Sequence, residues 1–365
     1  MAVKQLDRAA IERSKISAGN RARLLSVMRR AAAGESITIG VLGGSITEGY
    51  FATKPENNYA SRVTQWWRDT FPKAAISLVN AGVGGTGSLI GVHRMQGHLL
   101  DKHPDVIVVE FAVNDCMICE VPSKETFENV VRRCLHSGAA VLLLFTLRKE
   151  GPGVQDEQIV IGRHYDLPMI AVSDAIWPEL QSGVRRWEDY SGDSVHPNDN
   201  GHELIATLVN DYLGEVYAAM DTAVDTEQPM PAPLISTDFE QAYMLDHRTL
   251  PAIKLGGFVK HERGFEHFHH AWFAECGGDA MEFEVTDCRC LHLVMLKEPN
   301  ERAGTARITV TVDGEERVID FKASFPGGWG GYAYPVLAHR SAEPKTVRVQ
   351  IKPERTIMLM QVFKA

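Results

Sequence analysis

Three side chains in this sequence have the types that nucleophilic catalysis needs: Ser45, His196 and Asp193. A serine hydroxyl is a poor nucleophile until a neighbouring base takes its proton. His196 is the candidate base. Asp193, three residues before it, is the candidate carboxylate that fixes its tautomer and stabilises the imidazolium. The backbone N–H groups of Ser45 and Gly85 and the side-chain amide of Asn114 are candidate donors to the oxyanion of a tetrahedral intermediate. Taken singly, each has a plainer reading. A serine after two glycines caps a helix as readily as it attacks a carbonyl, Asn114-Asp115 suits a turn, and Asp193-Ser194-Val195-His196-Pro197 suits a cap. Occurring together they favour a hydrolytic site, with Asp115 as a structural residue that ties loops together.

The elements that must position these groups alternate. Ile37 to Leu42 reads as a strand covered on both faces, and Gly43-Gly44 leaves room beside Ser45. Further strands are expected at 75–79, 105–113, 139–146 and 168–172, and helices at 21–33, 59–71, 90–100, 122–136, 155–164 and 202–220. Alternation of this kind predicts a parallel, doubly wound α/β sheet, and right-handed crossovers put the ends of its strands on one rim. Ser45, Gly85 and Asn114 each follow such an end. The glycine-rich turn at 80–87 has no G-K-[ST] and no complete dinucleotide fingerprint, which argues against nucleotide binding.

After a polar, proline-rich stretch the periodicity changes from helical to alternating. Strands are expected at 281–285, 291–295, 307–312, 347–351 and 357–363, with a hairpin turn at Val312-Asp313-Gly314-Glu315. The expected division is an α/β domain over 1–222, a linker over 223–233 and an all-β sandwich over 234–365.

Composition narrows the partners. At 365 residues, 44% hydrophobic and 23% charged, the sequence is that of a globular protein of two domains. A net charge of −9 argues against a nucleic-acid groove. There is no run of about 18 apolar residues for a membrane span, and residues 1–30 lack the apolar core of a secretory signal. The expectation is therefore a cytoplasmic protein whose six cysteines are reduced thiols. Cys116/Cys119 and Cys288/Cys290 lack the second pair that zinc would need, so a metal or redox role is disfavoured. His267, His269 and His270 in the segment 261–270 offer imidazoles to a metal, but an exposed loop or strand edge is the preferred reading and no metal is assigned. Trp272, Trp329, Tyr332 and Tyr334 are either core aromatics or a sugar-stacking platform or cleft lining.

Four blocks of this sequence, in order, resemble the SGNH (GDSL-type) hydrolase superfamily. Gly43-Gly44-Ser45-Ile46-Thr47 is similar to its serine block, 80–86 to its glycine block with Gly85 at the oxyanion position, Ala112-Val113-Asn114-Asp115 to its asparagine block, and Asp193-Ser194-Val195-His196-Pro197 to its D-x-x-H-P block. The resemblance spans about residues 37–212 and implies a flavodoxin-like three-layer fold, no cofactor, and ester hydrolysis through an acyl-enzyme. Two positions depart from the family's pattern: Gly44 replaces the usual aspartate, and Ala112 a usual glycine. Thr47 stands where the elbow of α/β-hydrolases has its last glycine. The expected activity is that of a serine esterase for short-chain, acetyl esters, and the extra β-domain points to a carbohydrate ester or other small-molecule ester, with no nucleic-acid or membrane partner. The alternatives are an inactive carbohydrate-binding or assembly protein, and an acyltransferase or lipid-active hydrolase.

Overall fold

Short aliphatic runs form the strands of the first half, and the sequence between them has the helical period. The computed structural model describes residues 6–118, 123–262, 264, 267–296, 306–312, 314–321, 331–337, 343–354 and 356–365. It divides into two compact units, Met1–Thr237 and Asp238–Ala365.

The first unit runs α1 (Arg8–Ser14), β1 (Lys15–Ser17), α2 (Ala22–Ala32), β2 (Ile37–Gly43), α3 (Ser45–Glu48), α4 (Tyr59–Thr70), β3 (Ile76–Gly82), α5 (Ser88–His98), β4 (Val106–Glu110), α6 (Ala112–Ile118), α7 (Ser123–His136), β5 (Ala140–Phe145), α8 (Gln155–His164), β6 (Met169–Ala171), α9 (Val172–Gln181) and α10 (Asp199–Ala218). Its sheet has the order β1-β6-β5-β4-β2-β3. β2 to β6 are parallel, and their order is the flavodoxin-like one, with the switch point where β2 lies between β3 and β4. On one face, residues of α2, α4, α9 and α10 share an apolar cluster with Ile39, Val41, Val108 and Leu142. On the other, Gly162 of α8 packs against Leu143 and Met169, and Gly40 of β2 against Leu99.

Three differences from the expected elements have local causes. β1 is an antiparallel edge strand on β6, so the sheet is mixed; three residues are too few to show a period. Arg8 and Lys15 pair with Asp211 and Glu215 of α10 and hold this edge in place. The strand expected through Val113 stops at Glu110, because the Asp115 N–H donates to the Phe111 carbonyl at 2.8 Å and closes a helical turn. α9 carries Pro178 inside it, which hides it from a reading that ends helices at proline.

The stretch 223–233 has no helix or strand and lies along the first unit. Arg21 pairs with Asp225 and Arg23 with Glu227, and Arg132 Nη1 donates to the Pro231 carbonyl. Just beyond it, the Glu128 carboxylate of α7 accepts from the N–H groups of Leu234, Ile235 and Ser236, and from the Tyr165 hydroxyl.

The second unit runs β7 (Tyr243–Leu245), β8 (Ala252–Lys254), β9 (Phe258–His261), β10 (Ala271–Ala274), β11 (Met281–Cys288), β12 (Leu291–Leu296), β13 (Ala306–Val312), β14 (Glu315–Phe321), β15 (Gly331–Leu337), β16 (Lys345–Pro353) and β17 (Ile357–Lys364). One sheet has the order β15-β12-β17-β10-β9 with β7 also on β17, and the other β14-β13-β16-β11-β8. Alternate residues of β16 are buried, and Trp272, Phe283, Leu293, Val310, Val349 and Leu359 meet in one core. The 312–315 turn joins β13 to β14 in register Val312↔Glu315. Trp272 is a core residue, 1% exposed. Trp329 and Cys119 lie outside the described residues, as do the side chains of Tyr332 and Tyr334. Burial raises the Cys288 thiol to about 11 and the Cys290 thiol to about 12, so both stay protonated.

Glu128→Ala should lower stability by at least about 2 kcal/mol, since it strips a carboxylate from several donors at once. Urea unfolding checks this, and an unchanged midpoint would contradict it.

Candidate active site

β2 delivers Ser45 to the rim. Gly44 is the N-cap of the four-residue α3 and makes no side-chain cap bond, so the serine hydroxyl is not used up as a cap. Ser45 Oγ lies 2.8 Å from His196 Nε2, and His196 Nδ1 2.7 Å from Asp193 Oδ2. Asp193 Oδ1 also accepts from the N–H groups of Val195 and His196, each at 2.7 Å. Burial opposes the charge on Asp193, but the His196 ring and these two N–H groups outweigh it and hold the carboxyl below its usual range.

The loop carrying Asp193 and His196 is held from several sides. Ser191 Oγ donates to the His196 carbonyl at 2.6 Å, the Trp187 indole N–H donates to the Asp193 carbonyl, and Lys149 N–H donates to the Ser194 carbonyl at 2.8 Å. Asn198 then caps α10 through Asn200 N–H and Gly201 N–H. α3 is fixed as tightly. Its Thr47 carbonyl accepts from Asn58 Nδ2 and Asn80 Nδ2, and Thr47 Oγ1 lies 2.9 Å from Tyr59 Oη.

The remaining candidates lie next to residues in contact with the serine block. Gly85 stands at φ +68°, a conformation that favours glycine. Its neighbour Gly84 is so close that a Cβ there would sit 3.7 Å from Ser45 Cβ. Asn114 is 6% exposed, and its carboxamide lies across Gly44, where a Cβ would come within 2.1 Å of Asn114 Oδ1. A side chain at position 44 would have to displace the Asn114 carboxamide from where it lies. Asp115 accepts from Ser88 N–H at 2.7 Å and Gln158 Nε2 at 3.0 Å, which ties α5 and α8 to the end of β4.

Two aromatic residues escape a reading of the sequence by blocks. Tyr50 and Phe51, 54% and 43% exposed, flank the His196 ring with centroids at 4.5 and 6.1 Å. The available signal was a pair of large rings in a solvent-facing loop directly after the serine block. Asp199, at the start of α10, holds that loop by accepting from Thr53 N–H and from its hydroxyl.

Buried charges lie behind the rim. Arg94 of α5 is fully buried and donates to the carbonyls of Ala81 and Gly43, at the ends of β3 and β2. Burial draws its pKa down to about 9, against the pull of Glu48. Glu110, the register partner of Gly43, is fully buried and raised to about 7, opposed by hydrogen bonds from Thr146 and Thr47. Burial likewise raises Asp115 to about 7, opposed by Ser88.

Among the described residues, two groups of side chains have donor atoms close enough for a metal ion. Glu12, Asp211 and Glu215 are matched by Arg8 and Lys15. His247, Glu262 and His270 lie in the second unit; of the three histidines singled out in the sequence only His270 belongs, and His267 and His269 do not.

A flavodoxin-like sheet with a hydrogen-bonded serine, histidine and aspartate at its switch point defines a class, the hydrolases built on that sheet. The GDSL-like lipase/acylhydrolase family matches residues 41–204. Over its whole length the chain is similar to two crystal structures of a two-domain esterase active on acetylated mannans. One, co-crystallised with mannopentaose, has a TM-score of 0.87 at 31% identity, and the other 0.86 at 32%; each comparison covers 99% of this chain and 98% of that one. No curated protein sequence matches the chain. The chain belongs to the GDSL-like lipase/acylhydrolase family, the one its four blocks resemble, and is a carboxylic ester hydrolase. No helix among the described residues is long and apolar enough to cross a membrane.

Gly44→Ala should displace the Asn114 amide; the expectation that this amide donates to the oxyanion predicts a fall in kcat of about 10²- to 10³-fold with a smaller change in KM. Steady-state kinetics on an aryl acetate checks this, with near-UV circular dichroism to show that the fold persists. Wild-type kcat would contradict it. A pH prediction follows from Glu110. Its folded pKa of about 7 exceeds the usual 4.5, so the folded state holds the extra proton between those values. Stability from this group is full below about pH 4.5 and is lost as pH rises through 7. Glu110→Gln should therefore gain stability relative to wild type on going from pH 5 to pH 8, as read from urea midpoints; parallel pH profiles would contradict the assignment.

Proposed function

We propose that the protein is a serine esterase that removes acetyl groups from carbohydrate esters through an acyl-enzyme, with Ser45 as nucleophile. The observation that carries this is the 2.8 Å contact from Ser45 Oγ to His196 Nε2, continued at 2.7 Å to Asp193. In the proposed reaction Ser45 Oγ attacks the ester carbonyl while His196 Nε2 takes its proton. Asp193 stays ionised and stabilises the resulting imidazolium. The N–H groups of Ser45 and Gly85 and the Asn114 amide donate to the oxyanion. The tetrahedral intermediate collapses, and His196 returns the proton to the departing sugar oxygen. Water, deprotonated by His196, then attacks acetyl-Ser45, and the second collapse releases acetate and restores the serine.

The substrate part of the proposal rests on the match, across both units, to an esterase active on acetylated mannans. The complete serine, histidine and aspartate set speaks against an inactive binding protein.

Acetate release from acetylated mannan oligosaccharides tests the proposal. Wild type should release acetate, and Ser45→Ala should lose at least about 10³-fold in kcat. Deacetylation by Ser45→Ala at the wild-type rate would sink the assignment of the nucleophile. Hydrolysis of aryl acetates with no acetate from the mannan oligosaccharides would sink the substrate and leave the chemistry standing.

A further inference from the structure

Three side chains of the second unit converge from separate places in the chain. His247 lies in the turn after β7, Glu262 directly follows β9, and His270 directly precedes β10. One donor atom from each, His247 and His270 nitrogens and a Glu262 oxygen, lies within 4.8 Å of the others. His247 is only 7% exposed, and its Nε2 has no hydrogen-bond partner. That nitrogen faces Glu262 Oε1 at 3.3 Å, and His270 Nδ1 is 2.7 Å from Glu262 Oε2. A buried polar atom left without a hydrogen bond calls for an explanation, and a missing ion is one of the recognised ones.

We propose that His247, Glu262 and His270 bind a zinc ion. Two imidazole nitrogens and one carboxylate oxygen are a donor set that suits zinc, whereas calcium and magnesium take oxygen ligands. Tetrahedral zinc with bonds of about 2.0–2.1 Å holds its ligand atoms roughly 3.3 Å apart. His247 Nε2 and Glu262 Oε1 already stand at 3.3 Å, and the Glu262 side chain, 73% exposed, is free to turn so that one oxygen meets both histidines.

The backbone brings the three together without the ion. His247 N–H donates to the His270 carbonyl at 3.2 Å, and His270 N–H donates to the Glu262 carbonyl at 3.3 Å. His270 is held at φ +63°. Gln361 Nε2 of β17 donates to the carbonyl of the adjacent His269 at 2.8 Å. The nearby cation Arg248 is hydrogen-bonded to Asp246 at 2.6 Å and acts on Glu262 through its charge, more weakly than the histidines do. Three protein ligands leave a fourth position for water. The ion would clip the 246–250 turn to the ends of β9 and β10, and so act on the stability of the second unit.

The test uses the full chain without an affinity tag, stripped with chelator and titrated with zinc against a chromophoric chelator. We expect one zinc per chain. Glu262→Gln and His270→Gln should each weaken binding by more than the roughly 10-fold that loss of even an outer-sphere partner costs. A His267→Ala/His269→Ala double variant should bind as wild type does. Zinc should raise the thermal midpoint of wild type and leave that of Glu262→Gln unchanged. Cobalt(II) in place of zinc should give the intense visible absorption of a four-coordinate site, a readout that needs no variant. The absence of stoichiometric zinc from the wild-type titration would overturn the proposal. So would wild-type affinity in Glu262→Gln and His270→Gln, or loss of binding in the His267/His269 variant.

Discussion

A single hydrogen bond, 2.8 Å from Ser45 Oγ to His196 Nε2, spans 151 residues of chain. Two pieces of local structure must arrive at the same point for it to form. On one side β2 ends in two glycines and turns into α3; on the other a short loop before α10 presents His196 already bonded to Asp193. The Asp–His pair is only three residues long and is partly exposed, so by itself it would contribute little to stability. Its geometry comes instead from the loop around it, in which Ser191, Trp187 and Lys149 hold the main chain. Such over-determination is what a site needs when reacting atoms must be placed to within about half an ångström.

The rim is crowded because three strand ends meet there. At Gly43 and Gly82 a Cβ would run into backbone, and at Gly44 into the Asn114 carboxamide. That closeness brings the Asn114 carboxamide against Gly44 and Gly84 against Ser45. Arg94 supports the same arrangement from within, satisfying the carbonyls where β2 and β3 stop pairing. Buried cations and carboxyls are costly unless hydrogen-bonded. Arg94 is bonded through its two Nη atoms, Glu110 through Oε1 and Asp115 through both oxygens, while Arg94 Nε and Glu110 Oε2 stay without a hydrogen bond, in keeping with the lowered and raised pKa values of those two groups. Gly44 belongs to this economy of space: the departure from the family's usual aspartate coincides with an asparagine packed across the glycine.

Much of this was legible in the sequence, for a physical reason. Two strand ends are marked by aliphatic runs that stop at glycine, β2 before Ser45 and β3 shortly before Gly85, whereas Asn114 lies in α6, beyond the end of β4 at Glu110. The five parallel strands were visible in the same way, as were the alternating β13 and β16 and the apolar runs of β12 and β17. What escaped lacked a period. β1 is three residues long, β8 and β9 are short and largely exposed, and α9 hides behind Pro178. Tyr50 and Phe51 carry no motif, and their place beside His196 depends on the path of a loop. The His247, Glu262 and His270 cluster was out of reach because its members belong to three backbone segments that only sheet pairing brings together; the crowded run of histidines in the sequence pointed to the wrong neighbours.

The central claim is that Ser45, activated by His196, carries the acyl group. Its most direct test is covalent capture. The protein is treated with a fluorophosphonate, digested, and the modified peptide identified by mass spectrometry. The account predicts one phosphonyl group per chain, on Ser45, with labelling slowed by orders of magnitude in His196→Ala. An adduct on another residue, or full esterase activity after treatment with no adduct on Ser45, would contradict it.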